Sequence, residues 1–367
     1  MVRPGRSTGH RAGLAGCCLV VLLAGCGPAQ KQAVPVGQPA GTPSGTSASA
    51  SGAVERVVAP GRPKVLVAVT SPQVPEGRPP APGILVVLDP ADGTQRRRLD
   101  VDVLGDAVQL GPDGATVYYA RDVGCRHEIW TVPVAGGKPA RLVADGALPA
   151  LSPDGTELAY WTGPLAWHCA DVNLPADSYA VVVRTLATGA SRRLALGPDR
   201  RAIPAPVRHL SWSPDGTRLA VSVGSAQDNR GWALNLVDPV HDRYYVGGSS
   251  GTAVPAAGPA TAGRPGEEWF FREGVYLPGG SLFAVHRCCI NGPETQPILA
   301  EVLQEVDAAT GAQVRQVAVG IVPKDHASLG SDASGRWLIY LSGDAVMVAA
   351  DGAKPVTLTT GYQAVDW

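Results

Sequence analysis

The stretch LSPDGTELAYW at residues 151–161, read beside WSPDGTRLAVS at 212–222 and LGPDGATVYYA at 110–120, sets the architecture of this chain. Each phrase is a short β-rich run, a Pro-Asp-Gly corner and a second β-rich run. Pro153 and Pro214 preset φ at the first corner residue. Asp154 and Asp215 accept hydrogen bonds from the local backbone, and Gly155 and Gly216 take the left-handed conformation that ends a tight hairpin. These aspartates are therefore turn-formers rather than catalytic groups. Weaker relatives follow in YLPGGSLFAVH (276–286) and SDASGRWLIYL (331–341), where Gly279-Gly280 and Ser334-Gly335 replace the corner.

After each hairpin comes a third strand, a turn and a fourth strand. Examples are EIWTVPVAGGKPARLVADG (128–146), YAVVVRTLATGASRRLALG (179–197), LAEVLQEVDAATGAQVRQVAVG (299–320) and VMVAADGAKPVTLTTG (346–361), with ILVVLDPADGTQRRRLDVD (84–102) ahead of them. Four strands per unit, repeated along the chain, predict an all-β, six-bladed β-propeller over residues 61–367. The SPDG corner, the IW-x-V strand and the GG or TG turn resemble the repeats of TolB-like propellers. That resemblance implies a role through protein contacts, carried over only as a class.

Ring closure is predicted from the last seven residues. GYQAVDW (361–367) reads like the inner strand VRHLSW (207–212), yet no hairpin follows it. The first unit supplies only three clear strands, so the C-terminal segment is expected to complete it. The competing reading gives that place to residues 54–59.

The start of the chain carries a different signal. Arg3, Arg6, His10 and Arg11 precede the apolar run LAGCCLVVLL (14–23), which is too short for a permanent membrane span and ends in Leu23-Ala24-Gly25-Cys26. This resembles the lipobox of bacterial lipoproteins. The resemblance implies that residues 1–25 are a cleaved signal peptide and that Cys26 becomes the acylated N-terminus, a cell-membrane anchor on the extracytoplasmic face. A simple cleaved signal peptide is the alternative. Residues 27–60 are rich in Gly, Pro, Ser, Thr and Ala, too poor in large apolar side chains to fold, and are expected to be a disordered tether with a reach of roughly 30 Å. Together, residues 26–60 form the lipidated cysteine and linker.

Charge narrows the function. The chain carries 31 basic and 32 acidic residues, and removal of residues 1–25 leaves 28 against 32. This balance gives no support to nucleic-acid binding. No cofactor motif is read, and a monomer is expected.

Candidate site residues gather in the loops joining second to third strands, which the propeller order places on one end. Cys125 and Cys169 occupy equivalent loops of neighbouring units outside the cytoplasm, and a disulfide between them is the favoured reading. Cys288 and Cys289 would pair with each other, remain free or bridge another molecule. His127, Trp167, His168, Asp171, His286 and Arg287 lie on the same expected binding face, and His326 lies in an inter-blade connection there. Imidazole beside thiol suits zinc or copper, but no CxxC or HExxH spacing appears, so no metal is assigned. GGSSG (247–251) fits the letters of G-x-S-x-G but sits in a Gly-, Ala- and Pro-rich insertion read as a mobile loop, so it is not read as a nucleophile elbow. Trp130, Trp212 and Trp337 are expected to fill wedges between blades, and Trp161 and Trp167 to flank a contact surface. The favoured reading is a non-catalytic, membrane-anchored platform for a protein or small ligand at the cell envelope. The alternatives are an extracytoplasmic lyase or hydrolase using a histidine of that face, and a metal-binding lipoprotein.

Overall fold

The computed structural model describes residues 63–70, 82–104, 107–124, 126–162, 180–196, 207–224, 232–237, 243–244, 252–253, 269–277, 279–288, 301–308, 310–321, 328–332, 334–350 and 352–367. All of them fall in one compact unit that begins at Val57. The predicted signal peptide and linker lie outside the described residues.

Among the described residues the regular elements are strands. In chain order they are β1 (Leu66–Thr70), β2 (Gly83–Leu88) and β3 (Gln95–Val103), then β4 (Val108–Leu110), β5 (Thr116–Asp122), β6 (His127–Pro133) and β7 (Ala140–Val143). The next are β8 (Ala147–Leu151), β9 (Glu157–Trp161), β10 (Val181–Thr185), β11 (Ser191–Arg193) and β12 (Ala195–Leu196). They are followed by β13 (Val207–Trp212), β14 (Leu219–Gly224), β15 (Trp232–Val237), β16 (Arg243–Tyr244) and β17 (Thr252–Ala253). Then come β18 (Trp269–Tyr276), β19 (Leu282–Cys288), β20 (Glu301–Val306) and β21 (Gln313–Ile321). The last are β22 (Gly330–Ser331), β23 (Trp337–Ser342), β24 (Ala345–Ala350), β25 (Val356–Thr360) and β26 (Tyr362–Asp366).

These strands build six four-stranded sheets. Five of them each come from a single run of chain: β4 to β7 (sheet two), β8 to β11 (three), β13, β14, β15 and β17 (four), β18 to β21 (five) and β22 to β25 (six). The remaining sheet, sheet one, is a composite of both ends, in the order β26, β1, β2, β3. β26 lies antiparallel to β1, with Val67 opposite Asp366 and Val69 opposite Ala364. The C-terminal segment therefore supplies the inner strand, as its sequence predicts. A short parallel pair, β12 with β16, lies outside the four-stranded sheets.

The sheets form an all-β propeller, and the packing shows why. Each sheet is apolar on both faces and shares a buried cluster with each neighbour. Val69 and Leu85 of sheet one meet Val117 and Tyr119 of sheet two. Ile129 meets Leu158 and Tyr160 between sheets two and three, and Trp161 meets Trp212 and Leu219 between three and four. Leu236 meets Phe271 and Tyr276 between four and five, and Leu303 meets Leu338 and Tyr340 between five and six. Ile339 and Leu341 of sheet six meet Leu66, Tyr362 and Val365 of sheet one. The run of shared clusters thus returns to its start, and no sheet is left with an uncovered apolar face.

The hairpin corners follow the physics read from the sequence. Asp154 Oδ1 accepts from Ser152 Oγ at 2.6 Å and from the Thr156 backbone N–H at 3.0 Å, and Oδ2 accepts from Thr156 Oγ1 at 2.8 Å. Asp215 accepts from Ser213 Oγ, the Thr217 N–H and Thr217 Oγ1 in the same way. The serine hydroxyl first, then the threonine donors, hold both carboxyls below the usual aspartate range. Gly114, Gly155 and Gly216 have φ of 65°, 70° and 70°, a region costly for residues with a Cβ. Successive corners also nest: a Cβ on Gly155 would lie 3.3 Å from Pro112 Cγ, and one on Gly216 would lie 3.9 Å from Pro153 Cδ.

Two expectations are corrected. The insertion read as a mobile loop contains a strand, since Thr252 and Ala253 of β17 pair with Leu236 and Asn235. An outer strand needs only backbone pairing, so two residues suffice and leave no mark on a Gly- and Ala-rich composition. Trp161 does not flank a contact surface. It is fully buried between sheets three and four, because its place as the last residue of β9 turns it inward. Trp212 is buried as expected, and Trp130 and Trp337 pack against the edges of their clusters.

Deleting residues 362–367 should open sheet one, bare the Ile339–Leu341 surface and lower the melting temperature by about 10 °C or more. Differential scanning calorimetry checks this, and an unchanged transition would contradict closure by β26.

Candidate functional site: the central channel

The inner strands β26, β4, β8, β13, β18 and β22 surround a channel with a cavity of about 220 Å³. The PDG corners lie at one end of it. The connections from each second strand to the third, and from each sheet to the next, lie at the other. Polar groups on the wall include Gln109, His209, Ser211, Ser331, Asp366 and Trp367.

The inner strands are not paired with one another in a ladder, so their channel-side backbone groups need other partners. Side chains supply several. Asp366 Oδ2 accepts from the Leu110 N–H at 2.7 Å, joining sheet one to sheet two. Gln109 Oε1 accepts from the Leu151 N–H at 2.6 Å, joining sheet two to sheet three. Trp212 Nε1 donates to the Ala150 carbonyl at 2.9 Å, joining sheet four to sheet three. Gln109, Ala150 and Asp366 hold equivalent places near the ends of their strands, so one position in the repeat stitches consecutive sheets. On the other side of Asp366, Gly330 lets sheet six come close, since a Cβ there would lie 3.1 Å from Asp366 Oδ1.

Enclosure among these strands raises the Asp366 carboxyl pKa to about 7, against the opposing pull of the Leu110 and Trp367 backbone N–H groups. Near neutral pH the channel thus holds a carboxyl poised between its acid and its anion.

The end opposite the PDG corners carries backbone strain. Leu148 and Ser328 have φ of 53° and 44°, and both line the channel near the starts of β8 and β22. Left-handed backbone at a non-glycine residue costs roughly 1–2 kcal/mol, and strain of this kind collects where a site needs a fixed shape. At β8 the strain accompanies a register shift between Ala147 and Ala150.

Of the residues predicted for the binding face, His127 is at the start of β6, at the loop end of sheet two. It is only 3% exposed, with Nδ1 3.9 Å from Asp122 Oδ1. It therefore belongs to the base of that face and not to its open surface. His286, Arg287 and Cys288 end β19 at the same end of sheet five. Sheets two and five stand three apart in the order of sheets, so His127 and the His286 segment are not brought together. Cys26, Cys125, Trp167, His168, Cys169, Asp171, Cys289 and His326 lie outside the described residues. Among the described residues no group of three or more His, Cys, Asp or Glu is placed to hold a metal ion.

Sequence reasoning did not single out Gln109, His209 or Asp366. Their signal was present in the alignment of VQLGPDG, VRHLSWSPDG and QAVDW, which sets Gln109 and Asp366 at one repeat position and His209 two residues before it.

No protein-family model matches this sequence, and neither does any curated protein. Solved structures do resemble the fold. TolB from Acinetobacter baumannii aligns with a TM-score of 0.53 at 15% identity, over 83% of this chain and 65% of that one. Hydrazine synthase from Kuenenia stuttgartiensis aligns at 0.45 and 15% identity, over 72% of this chain and 70% of that one. Oligogalacturonate lyase from Vibrio parahaemolyticus aligns at 0.41 and 14% identity, over 76% and 71%. The likeness is one of fold, a TolB-like propeller, and this chain spans 65% of the length of the Acinetobacter TolB it matches.

The raised pKa of Asp366 has a defined sign. The folded state holds a proton that the unfolded chain releases near pH 4, so this group favours folding most below that pH. Its contribution is lost as pH rises through about 7. Asp366→Asn keeps an acceptor for the Leu110 N–H and removes the charge. Stability at pH 8 should rise by about 1–3 kcal/mol, with a flatter profile between pH 4 and 7, measured by urea unfolding across pH. A variant less stable than the parent at pH 8, with the slope retained, would contradict the assignment.

Proposed function

We propose that this chain is a lipid-anchored protein of the cell envelope whose six-bladed propeller binds a protein or a small ligand without catalysing a reaction. In this reading residues 1–25 are removed and Cys26 is acylated. Residues 27–60 tether the propeller close to the extracytoplasmic face of the membrane. Two or three acyl chains hold a protein stably where one does not. Among the described residues no helix is long and apolar enough to cross a membrane, so in this reading attachment falls to the lipid.

The observation that carries a binding role is how the channel's polar side chains are used. Asp366 and Gln109 accept backbone hydrogen bonds that join neighbouring sheets, so they hold a shape rather than stand ready as an acid-base pair. A rigid ring with strained backbone at one mouth is suited to presenting loops to a partner. The binding surface in this reading is the end bearing the loops around residues 121–127, 162–178, 224–231 and 286–298. A disulfide between Cys125 and Cys169 would fix two of those loops. The propeller is taken to act as a monomer.

Two measurements test the two halves of this proposal. Cys26→Ser should move the protein from the membrane fraction to the soluble one, and retention in the membrane would overturn the anchor. A photo-crosslinking residue placed at Trp167 or Arg287 should capture the same envelope partner in native membranes, while one at Asp113 on the PDG end should not. Capture from Asp113 alone would reverse the choice of face. Turnover of a substrate by the purified protein, lost on replacing His168 or His286, would favour an enzyme instead.

A further inference from the structure

The nesting of the hairpin corners that runs from sheet two to sheet four does not continue to sheet five. Pro112 packs beside Gly155, and Pro153 lies at the edge of contact with Gly216. The next pair in the series is Pro214 and Gly280. A Cβ built on Gly280 meets nothing within 4 Å, and neither does one on Gly279. Gly279 stands where the corners of sheets two, three and four carry Asp113, Asp154 and Asp215, so this corner contributes no side chain to the gap. A groove of about 710 Å³ opens there, on the PDG end and away from the loop face. Its volume lies in the range of small-molecule sites.

Three features of the groove bear on what it takes. Leu236 and Ala308 give it an apolar side, with Pro214 at its rim. Arg218 brings a guanidinium that has no ion pair or side-chain hydrogen bond among the described residues, although Asp215 is close by. The Asp215 carboxylate is already held within its own turn by Ser213 and Thr217. Tyr276 is 8% exposed, packs between sheets four and five, and has a phenol oxygen that is buried with no hydrogen-bond partner among the described residues. A buried hydroxyl without a partner is costly and calls for an acceptor. Burial pushes this phenol up to about 12, with Arg218 pulling it down and Asp215 raising it, so it is a donor at every physiological pH.

We propose that the groove between sheets four and five is a binding site for a small organic carboxylate, with the anion on Arg218 and Tyr276 Oη and the apolar body against Leu236 and Ala308. The guanidinium is a cation with donors only, and the neutral phenol donates its O–H, so the fixed positive charge selects a carboxylate over an amine and over a neutral amide. This site is independent of the platform reading, since it lies at the opposite end of the channel and needs neither the lipid nor the loop face.

Isothermal titration of the full chain with benzoate, benzamide and benzylamine provides the test. Benzoate should bind saturably at one site, with benzamide and benzylamine weaker by about tenfold or more. Arg218→Gln, at an exposed position, should weaken benzoate by about tenfold, and Tyr276→Phe should weaken it several-fold while leaving the ligand-free melting temperature no lower. Gly279→Asp introduces the aspartate of the PDG corners of sheets two, three and four at a residue with open space and no left-handed φ. It should fold normally and abolish benzoate binding by placing a second carboxylate at the groove. The proposal is overturned if benzoate does not bind, if the neutral or cationic probe binds as well, if Arg218→Gln and Gly279→Asp bind like the parent, or if Tyr276→Phe melts markedly lower without ligand.

Discussion

Every part of this structure depends on one constraint: a sheet that is apolar on both faces needs a neighbour on each side. Two such sheets leave two faces bare, and so does any open stack. Only a ring satisfies all of them. The shared clusters from Val69 and Tyr119 round to Leu341 and Val365 show the condition met at every junction. The composite sheet is its consequence. With β26 absent, β1 would become an exposed edge, and the apolar residues of sheet six would face water.

The same constraint shapes the channel. Inner strands that converge on an axis cannot pair edge to edge, so their backbone groups turn to side chains for partners. Gln109 and Asp366 serve this need from equivalent repeat positions, and Trp212 serves it from the facing strand. Polarity in the channel is therefore largely a property of ring construction. What distinguishes this ring is the acid near neutrality at Asp366 and the two strained residues at the loop end. At the PDG end, the distinguishing feature is the gap where Gly279 and Gly280 interrupt the nesting of corners.

Much of the fold was legible in the sequence because its signals are local. A PDG corner needs only its own proline, aspartate and glycine, and Asp154 and Asp215 make the bonds their positions imply. The closing strand was legible for a related reason, since QAVDW repeats the form of HLSW. What escaped depends on neighbours that sequence does not place. The two residues of β17 pair through their backbone alone. Trp161 reads as a loop-flanking aromatic until β9 is seen to end inside a sheet interface, and His127 reads as a surface imidazole until Asp122 and the sheet close over it. The stitching role of Asp366 requires knowing that Leu110, 256 residues away, lies beside it. Cys125, Cys169 and Cys289, with His168 and His326 of the expected loop face, fall outside the described residues, so that part of the reading rests on sequence.

The composite sheet also divides the assembly of this protein into unequal steps. Five sheets gather strands that are close along the chain, so their hairpins form with little loss of chain entropy. Joining Val67 to Asp366 closes a loop of nearly the whole propeller, and the entropy of that closure is met only when the pairing and both flanking interfaces form together. Folding should therefore pause at an open arc with two unsatisfied ends. An arc of that kind offers the unpaired edge of β1 to any extended segment of another molecule, and the speed with which β26 arrives decides between a closed monomer and a domain-swapped or aggregated chain.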